Sequence, residues 1–130
     1  MDGEGDIAIT AGDDILLNAN AETAFGQFLL IASNGNNEDI LDTDANDGVV
    51  MQANVSITAG NNNNVLVRAA GATGDVRLGL IDAGSGQVVV LADDDILDSN
   101  FAFAPQTVNL IGQDVQLIAD ADNNLSLIHI

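Results

Sequence analysis

NVSITAGNNNNVLVRAAGATGDVRLGLIDAGSGQVVVLADDDILD, residues 54–98, contains four short runs of one kind. They are Val55–Ala59, Val65–Ala69, Val76–Leu80 and Val88–Ala92. Each opens on a β-branched residue and repeats an apolar residue at every second position. Most close on a small residue, and Gly, Asn and Asp fill the gaps between runs. Period-two apolar runs bounded by turn formers predict half-buried strands. The leading residues Val55, Val76, Ile96 and Val115 recur about every 20 residues, the signature of a repeat architecture. An alternate set, Val65, Val88 and Val108, keeps nearly the same period. A module of two or three strands cannot bury its apolar face alone, so it must stack on copies of itself as a β-solenoid.

The same rhythm extends in both directions. Ile7, Ile9 and Ala11 are expected to point inward, followed by Ile15 and Leu17, and Gln27–Ala32 forms a further strand. Residues 33–48 are the most polar stretch and read as an enlarged loop around a short strand at Asp39–Leu41. Val49–Gln52 resumes the pattern, and residues 99–105 make a turn in which Phe101 and Phe103 cover an edge. Thr107–Ile111 and Val115–Ala119 complete the series. No segment has helical periodicity, so the chain is all-β. The tail Leu125–Ile130 reverse-translates to a sequence that matches a sequencing-library adapter. The repeat segment is therefore taken as 1–124, and His129 carries no functional weight.

Composition narrows the function. The 130 residues suffice for one domain, and hydrophobic residues make up 47%, yet the only aromatics are four Phe. Val, Ile, Leu and Ala suit a narrow interior of stacked layers. Two Arg, no Lys and twenty acids give a net charge of −18, which disfavours nucleic acid and anionic membrane, since both attract basic side chains. Cations or a saline medium are the more plausible company. No run reaches the roughly 18 apolar residues of a membrane helix. The start, Met1-Asp2-Gly3-Glu4, is acidic where a signal peptide would be basic. That points to a cytosolic chain or an internal piece of a longer one.

GDIAITAGDDILLNA, NVSITAGNNNNVLVRA and GDVRLGLIDAGSGQVVVLADDDILD resemble the repeat regions of filamentous-haemagglutinin-type adhesins and related giant bacterial surface proteins. The likeness lies in a strand-turn rhythm that covers most of the chain to about Asn124, with 33–48 fitting poorly. It implies a right-handed parallel β-helix with coils of about 20 residues. It also implies export to the cell surface, flanking repeats in a longer parent protein, and a role as stalk or adhesive fibre toward surface glycans or proteins. The secretion domain with which such proteins begin is not visible here, again as expected of a fragment.

Four acids, Asp6, Asp75, Asp95 and Asp114, immediately precede leading residues. The last three are expected to stack on successive coils at about 4.8 Å. At that spacing unit charges repel by about 1 kcal/mol in water. Such a column either faces solvent as Asx turn formers or shares cations. Asp42, Asp44, Asn46 and Asp47 carry the sharpest local motif, oxygen ligands at near-alternate positions as at the start of a calcium loop. Glu38 and Asp39 could add ligands. The glycine falls one position late, however, and Ala53 stands where a closing Glu belongs. Asp120, Asp122 and Asn124 echo the pattern. Asn61–Asn64 read as a turn rather than an asparagine ladder, and Arg68 and Arg77 as outward residues in surface ion pairs.

Some parallel β-helices are polysaccharide lyases or hydrolases. With no Tyr, Trp, Lys or Cys to stack on sugars or act as nucleophile or base, an enzyme is the remote alternative. The expected function is a structural shaft segment, with a calcium-responsive surface module as the alternative. Such a segment is expected to self-associate end to end when isolated.

Overall fold

In the computed structural model, Val55–Ala59, Val65–Ala69 and Val88–Ala92 fold as single strands or nearly so, whereas the expected strand Val76–Leu80 breaks at Gly79, its first part ending one strand and Leu80 opening the next in a different sheet. The structure describes residues 5–33, 48–71, 73–100, 108–119 and 128–129. All described pairings are parallel, and they build three sheets visited in rotation. The first sheet stacks β1 (Ile7–Ala11), β4 (Phe28–Ser33), β7 (Val65–Ala70), β10 (Gln87–Ala92) and β13 (Asp114–Ile118). The second stacks β2 (Ile15–Leu17), β5 (Gly48–Met51), β8 (Asp75–Leu78), β11 (Ile96–Asp98) and β14 (Ile128–His129). The third stacks β3 (Ala21–Thr23), β6 (Ser56–Ala59), β9 (Leu80–Asp82) and β12 (Leu110–Ile111). A 3-10 turn at Gly60–Asn62 is the only helical element among the described residues. This all-β arrangement of stacked parallel sheets is compatible with a β-solenoid.

The interior is made of columns, because parallel pairing in register places like residues above one another. In the first sheet, Ile9, Leu30, Val67, Val90 and Leu117 form one column, and Ile7, Phe28, Val65, Val88 and Val115 another. A third consists of alanines, Ala11, Ala32, Ala69 and Ala92, at the end of the strands where the chain turns toward the second sheet. Leu30, Val67, Val90, Val76, Leu78 and Ile81 are completely buried. Burying a Val, Leu or Ile side chain contributes about 1.5–3 kcal/mol, so these columns supply most of the driving force for stacking. Ile7, Ile9, Ala11 and Leu17 pack against the same core, as their alternation predicts.

The register differs from the predicted one in a specific way. Val76 pairs with Ile96 as expected, but its other neighbour is Val49, not Val55. Val55 precedes β6 in the third sheet and donates its amide to the carbonyl of Gln52. Val115 belongs to the first sheet beneath Val88, so the set begun by Val65 and Val88 continues to Val115 and not to Val108. The cause is a third strand in each circuit. Runs in the second and third sheets carry the same alternation, and their spacing imitates a two-sheet repeat.

Gly48 shows how tightly the corners are built. It has φ +107°, and an added Cβ would collide with the Asp75 carbonyl and with Ala69. Its amide donates to Asp14 Oδ1 at 2.6 Å.

Candidate functional site: the Asx corners and a three-carboxylate cluster

Corners, not strands, hold most of the polar chemistry. At each corner a backbone N–H must find an acceptor, because an unpaired buried donor costs about 1–3 kcal/mol. Asp and Asn side chains supply that acceptor across successive circuits. Asp6 Oδ1 accepts from Gln27 N–H at 2.9 Å, 21 residues on. Asn64 Oδ1 accepts from Gln87 N–H at 2.9 Å, 23 residues on, and Asn62 Oδ1 from Ser85 N–H at 3.0 Å. Asn20 does the same for Ser56 at 2.9 Å, and Asp75 for Asp95 at 3.0 Å, 20 residues on. Side-chain oxygens that ordinarily cap a local turn here tie one circuit to the next.

This pattern settles several residues singled out from the sequence. Asp75 and Asp95 do stack at one corner, joined through the Asp95 amide. Asp114 does not join them; it faces Gln87 at the start of the first sheet, the corner that Asp6 also occupies. The three-sheet circuit moves Asp114 out of the column that a two-strand count predicted. The Asn61–Asn64 run is a turn, with Asn61 and Asn62 at φ +56° and +60° and Asn63 Nδ2 donating to Gly60 O at 2.9 Å. No asparagine ladder forms there; the ladder contacts run from side chain to backbone. Arg68 and Arg77 point outward and pair with Asp93 and Asp75, each at 3.7 Å. Asp42, Asp44, Asn46 and Asp47 lie outside the described residues, as do Glu38, Asp39, the Asp39–Leu41 strand, Phe101, Phe103, Asp120, Asp122 and Asn124.

Among the described residues, one group of acids brings a carboxylate oxygen from each of three side chains within 4.8 Å of one another: Asp75, Asp94 and Asp95. Asp94 was not singled out from the sequence, although the triplet Asp93-Asp94-Asp95 directly after β10 was a visible signal. The first of that triplet turns to Arg68 and accepts the Gly71 amide at 2.9 Å. Oxygen-only ligands of this kind suit hard cations, which take six or more oxygens. Here Asp75 Oδ1 already accepts an amide, and Arg77 stands beside Oδ2.

Crowding has an electrostatic consequence. Burial pushes the Asp75 carboxyl above its ordinary value of 3.8, and the charges of Asp94 and Asp95 push the same way. The Asp95 amide and Arg77 only partly offset this. A folded-state pKa above the unfolded one means the native state takes up the proton first. This contribution to stability is fully present below the unfolded value and is lost as pH rises through the folded one. Replacing Asp75 with Asn keeps the Oδ1 acceptor and removes the charge. The Asp75→Asn variant is therefore expected to show a shallower rise in Tm between pH 7 and pH 4 than the wild type. Thermal melts at half-unit pH steps check this, and parallel Tm profiles would refute it.

A second polar cluster, absent from the sequence reading, closes the far side of the fold. Asn109, 7% exposed, donates through Nδ2 to Gly79 O at 3.0 Å and to Asp98 Oδ1 at 2.8 Å. Asp98 Oδ1 also accepts the Asn100 amide at 2.7 Å, and Asn100 Oδ1 accepts the Asn54 amide at 2.9 Å. Asp98 pairs in register with the buried Leu78, and these amides replace the water that its carboxylate would otherwise need.

No helix among the described residues is long and apolar enough to cross a membrane. Comparison with known proteins returned no matching protein family, no matching curated protein and no matching solved structure.

Proposed function

We propose that this chain is a structural shaft segment of a secreted or cell-surface, adhesin-like repeat protein, built as a right-handed parallel β-helix with coils of about 20 residues. The observation that carries this reading is the continuity of the parallel ladders. In the first sheet, β1, β4, β7, β10 and β13 pair in unbroken succession. Each circuit is held to the next by backbone bonds, apolar columns and Asx corner contacts, so tension along the axis is shared among many weak links. The strand-turn rhythm shared with filamentous-haemagglutinin-type repeats supports the surface assignment. Flanking repeats of a parent protein are its natural partners.

Single-molecule stretching from the two termini tests the load-bearing role. Terminal circuits should peel one at a time, each step releasing about 70 Å for some 20 extended residues. Extension at forces indistinguishable from those of an unfolded chain would count against a shaft.

The Asp75, Asp94 and Asp95 cluster favours a second reading, a surface module that responds to a divalent cation such as calcium. Melts in calcium and in chelator separate the two readings. A rise of several degrees with calcium favours the module, and superimposable curves favour the scaffold alone.

A further inference from the structure

Asn100 is a buried polar residue whose hydrogen bonds use only part of its side chain. It is 5% exposed, its backbone amide donates to Asp98 Oδ1, and its own Oδ1 accepts the Asn54 amide. The second bond fixes which end of the carboxamide is which. Nδ2, which carries two hydrogens to donate, has no acceptor among the described residues. Buried polar atoms nearly always have a partner, so one without calls for a physical reason. Asn109 is the contrast, since its Nδ2 donates to Leu78 O, Gly79 O and Asp98 Oδ1. Asn100 also stands in the wall of a groove of about 240 Å³ at the corner between the second and third sheets. Asn54, Ser56, Leu80 and Val108 complete that wall. Ser56 and Leu80 pair in register, so the groove crosses two rungs. It opens to solvent, with Asn54 exposed and Ser56 and Leu80 half-buried.

We propose that this groove binds one ring of a neutral sugar, with Asn100 Nδ2 donating to a hydroxyl oxygen of the ring. Charge narrows the ligand. An N–H donor cannot hold a cation, and an anion is opposed by Asp98 beside Asn100 and by the net charge of −18. A neutral oxygen remains. Sugar hydroxyls both donate and accept, which suits the mixed set of the Asn100 amide, the Asn54 carboxamide and the Ser56 hydroxyl. Leu80 and Val108 offer an apolar patch to the C–H face of the ring. The groove is smaller than the roughly 300–1,000 Å³ of drug-sized sites, so a single ring fills it. The chain has no Trp or Tyr to stack on that ring, which sets the affinity at about the millimolar level. Asn100 is held in place before any ligand arrives, by Asp98 on one side and Asn54 on the other.

Sugar binding goes beyond the shaft role and does not depend on it, and the test keeps the two apart. The isotope-labelled full chain is titrated with methyl glucoside, methyl galactoside and methyl mannoside and followed by amide NMR. At least one of them should give saturable shifts in the Asn100 side-chain amide and in the backbone amides of Asn54, Ser56 and Leu80. Asn100→Asp keeps an oxygen for the Asn54 amide and removes the donor. It should weaken binding about tenfold with unchanged circular dichroism. Ser56→Val, an outward change that narrows the groove and removes its hydroxyl, should weaken binding too, and it decides the matter if Asn100→Asp fails to fold. Thr58→Val, on the same strand but outside the groove, should bind like the wild type. Absence of saturable shifts with all three glycosides overturns the proposal, as do equal shifts with glycerol or shifts that survive both groove variants. Saturation by a blocked alanine peptide and not by the sugars overturns it as well, assigning Nδ2 to a peptide carbonyl. None of these outcomes touches the shaft reading, which the stretching force measures separately.

Discussion

Replacing Leu30 with alanine is expected to destabilise the protein by about 2–5 kcal/mol, while Leu29→Thr one position earlier should cost about 1 kcal/mol or less. Leu30 is completely buried between Ile9 and Val67 in the middle of an interior column. Leu29 faces outward over Leu66. Truncating Leu30 removes contacts from the rungs on either side at once, because a column offers no spare side chain to fill the void. A loss of that size is a large share of the 5–15 kcal/mol typical of a domain. Urea denaturation of the two variants measures it. If Leu29→Thr were the more damaging change, the strand would be turned inside out, and the inward and outward assignments of the first sheet would fall together.

Gly48→Ala should be nearly as severe, at about 3 kcal/mol. Positive φ at a non-glycine residue costs about 1–3 kcal/mol, and the added methyl would strike the Asp75 carbonyl on the next rung. Relief requires the second sheet to shift where β5 and β8 pair and where Asp14 accepts the Gly48 amide. Gly12→Ala is the matched control, since nothing lies within 4 Å of its added Cβ. Equal denaturation midpoints for the two variants would mean the corner at Gly48 is looser than its geometry indicates.

Both variants concern packing within a rung and between rungs, and those two levels were not equally readable from the chain. Which residues of a strand point inward was legible, because alternation is a property of the extended backbone itself. Ile7, Ile9, Val65, Val67, Val88 and Val90 could be placed without knowing what lay above or below them. So could the outward positions of Arg68 and Arg77, and the need for stacking among runs too short to bury anything alone.

Which run stacks on which was not legible. Val55 and Val49 begin equally good strands, and only closure of the circuit sends one under Ile57's sheet and the other beneath Val76. The Asp residues suffered most from this. Asp75, Asp95 and Asp114 share one local context, but the count of corners between them separates Asp114 from the other two. Asp94 and Asn109 take their places from partners far along the chain, Asp75 beside the first and Gly79 bonded to the second.

By itself, the sequence determined most of the strands, their inner and outer faces and the preference for stacking, because alternation and turn chemistry act over a few residues; it did not show β3 or the break at Gly79 that separates β8 from β9. The tertiary structure alone decided the three-sheet circuit, the column in which each residue stands and the carboxylates that meet at a corner. Those depend on where the chain next returns to the same sheet, and a corner can absorb extra residues without altering the pattern of the strands on either side.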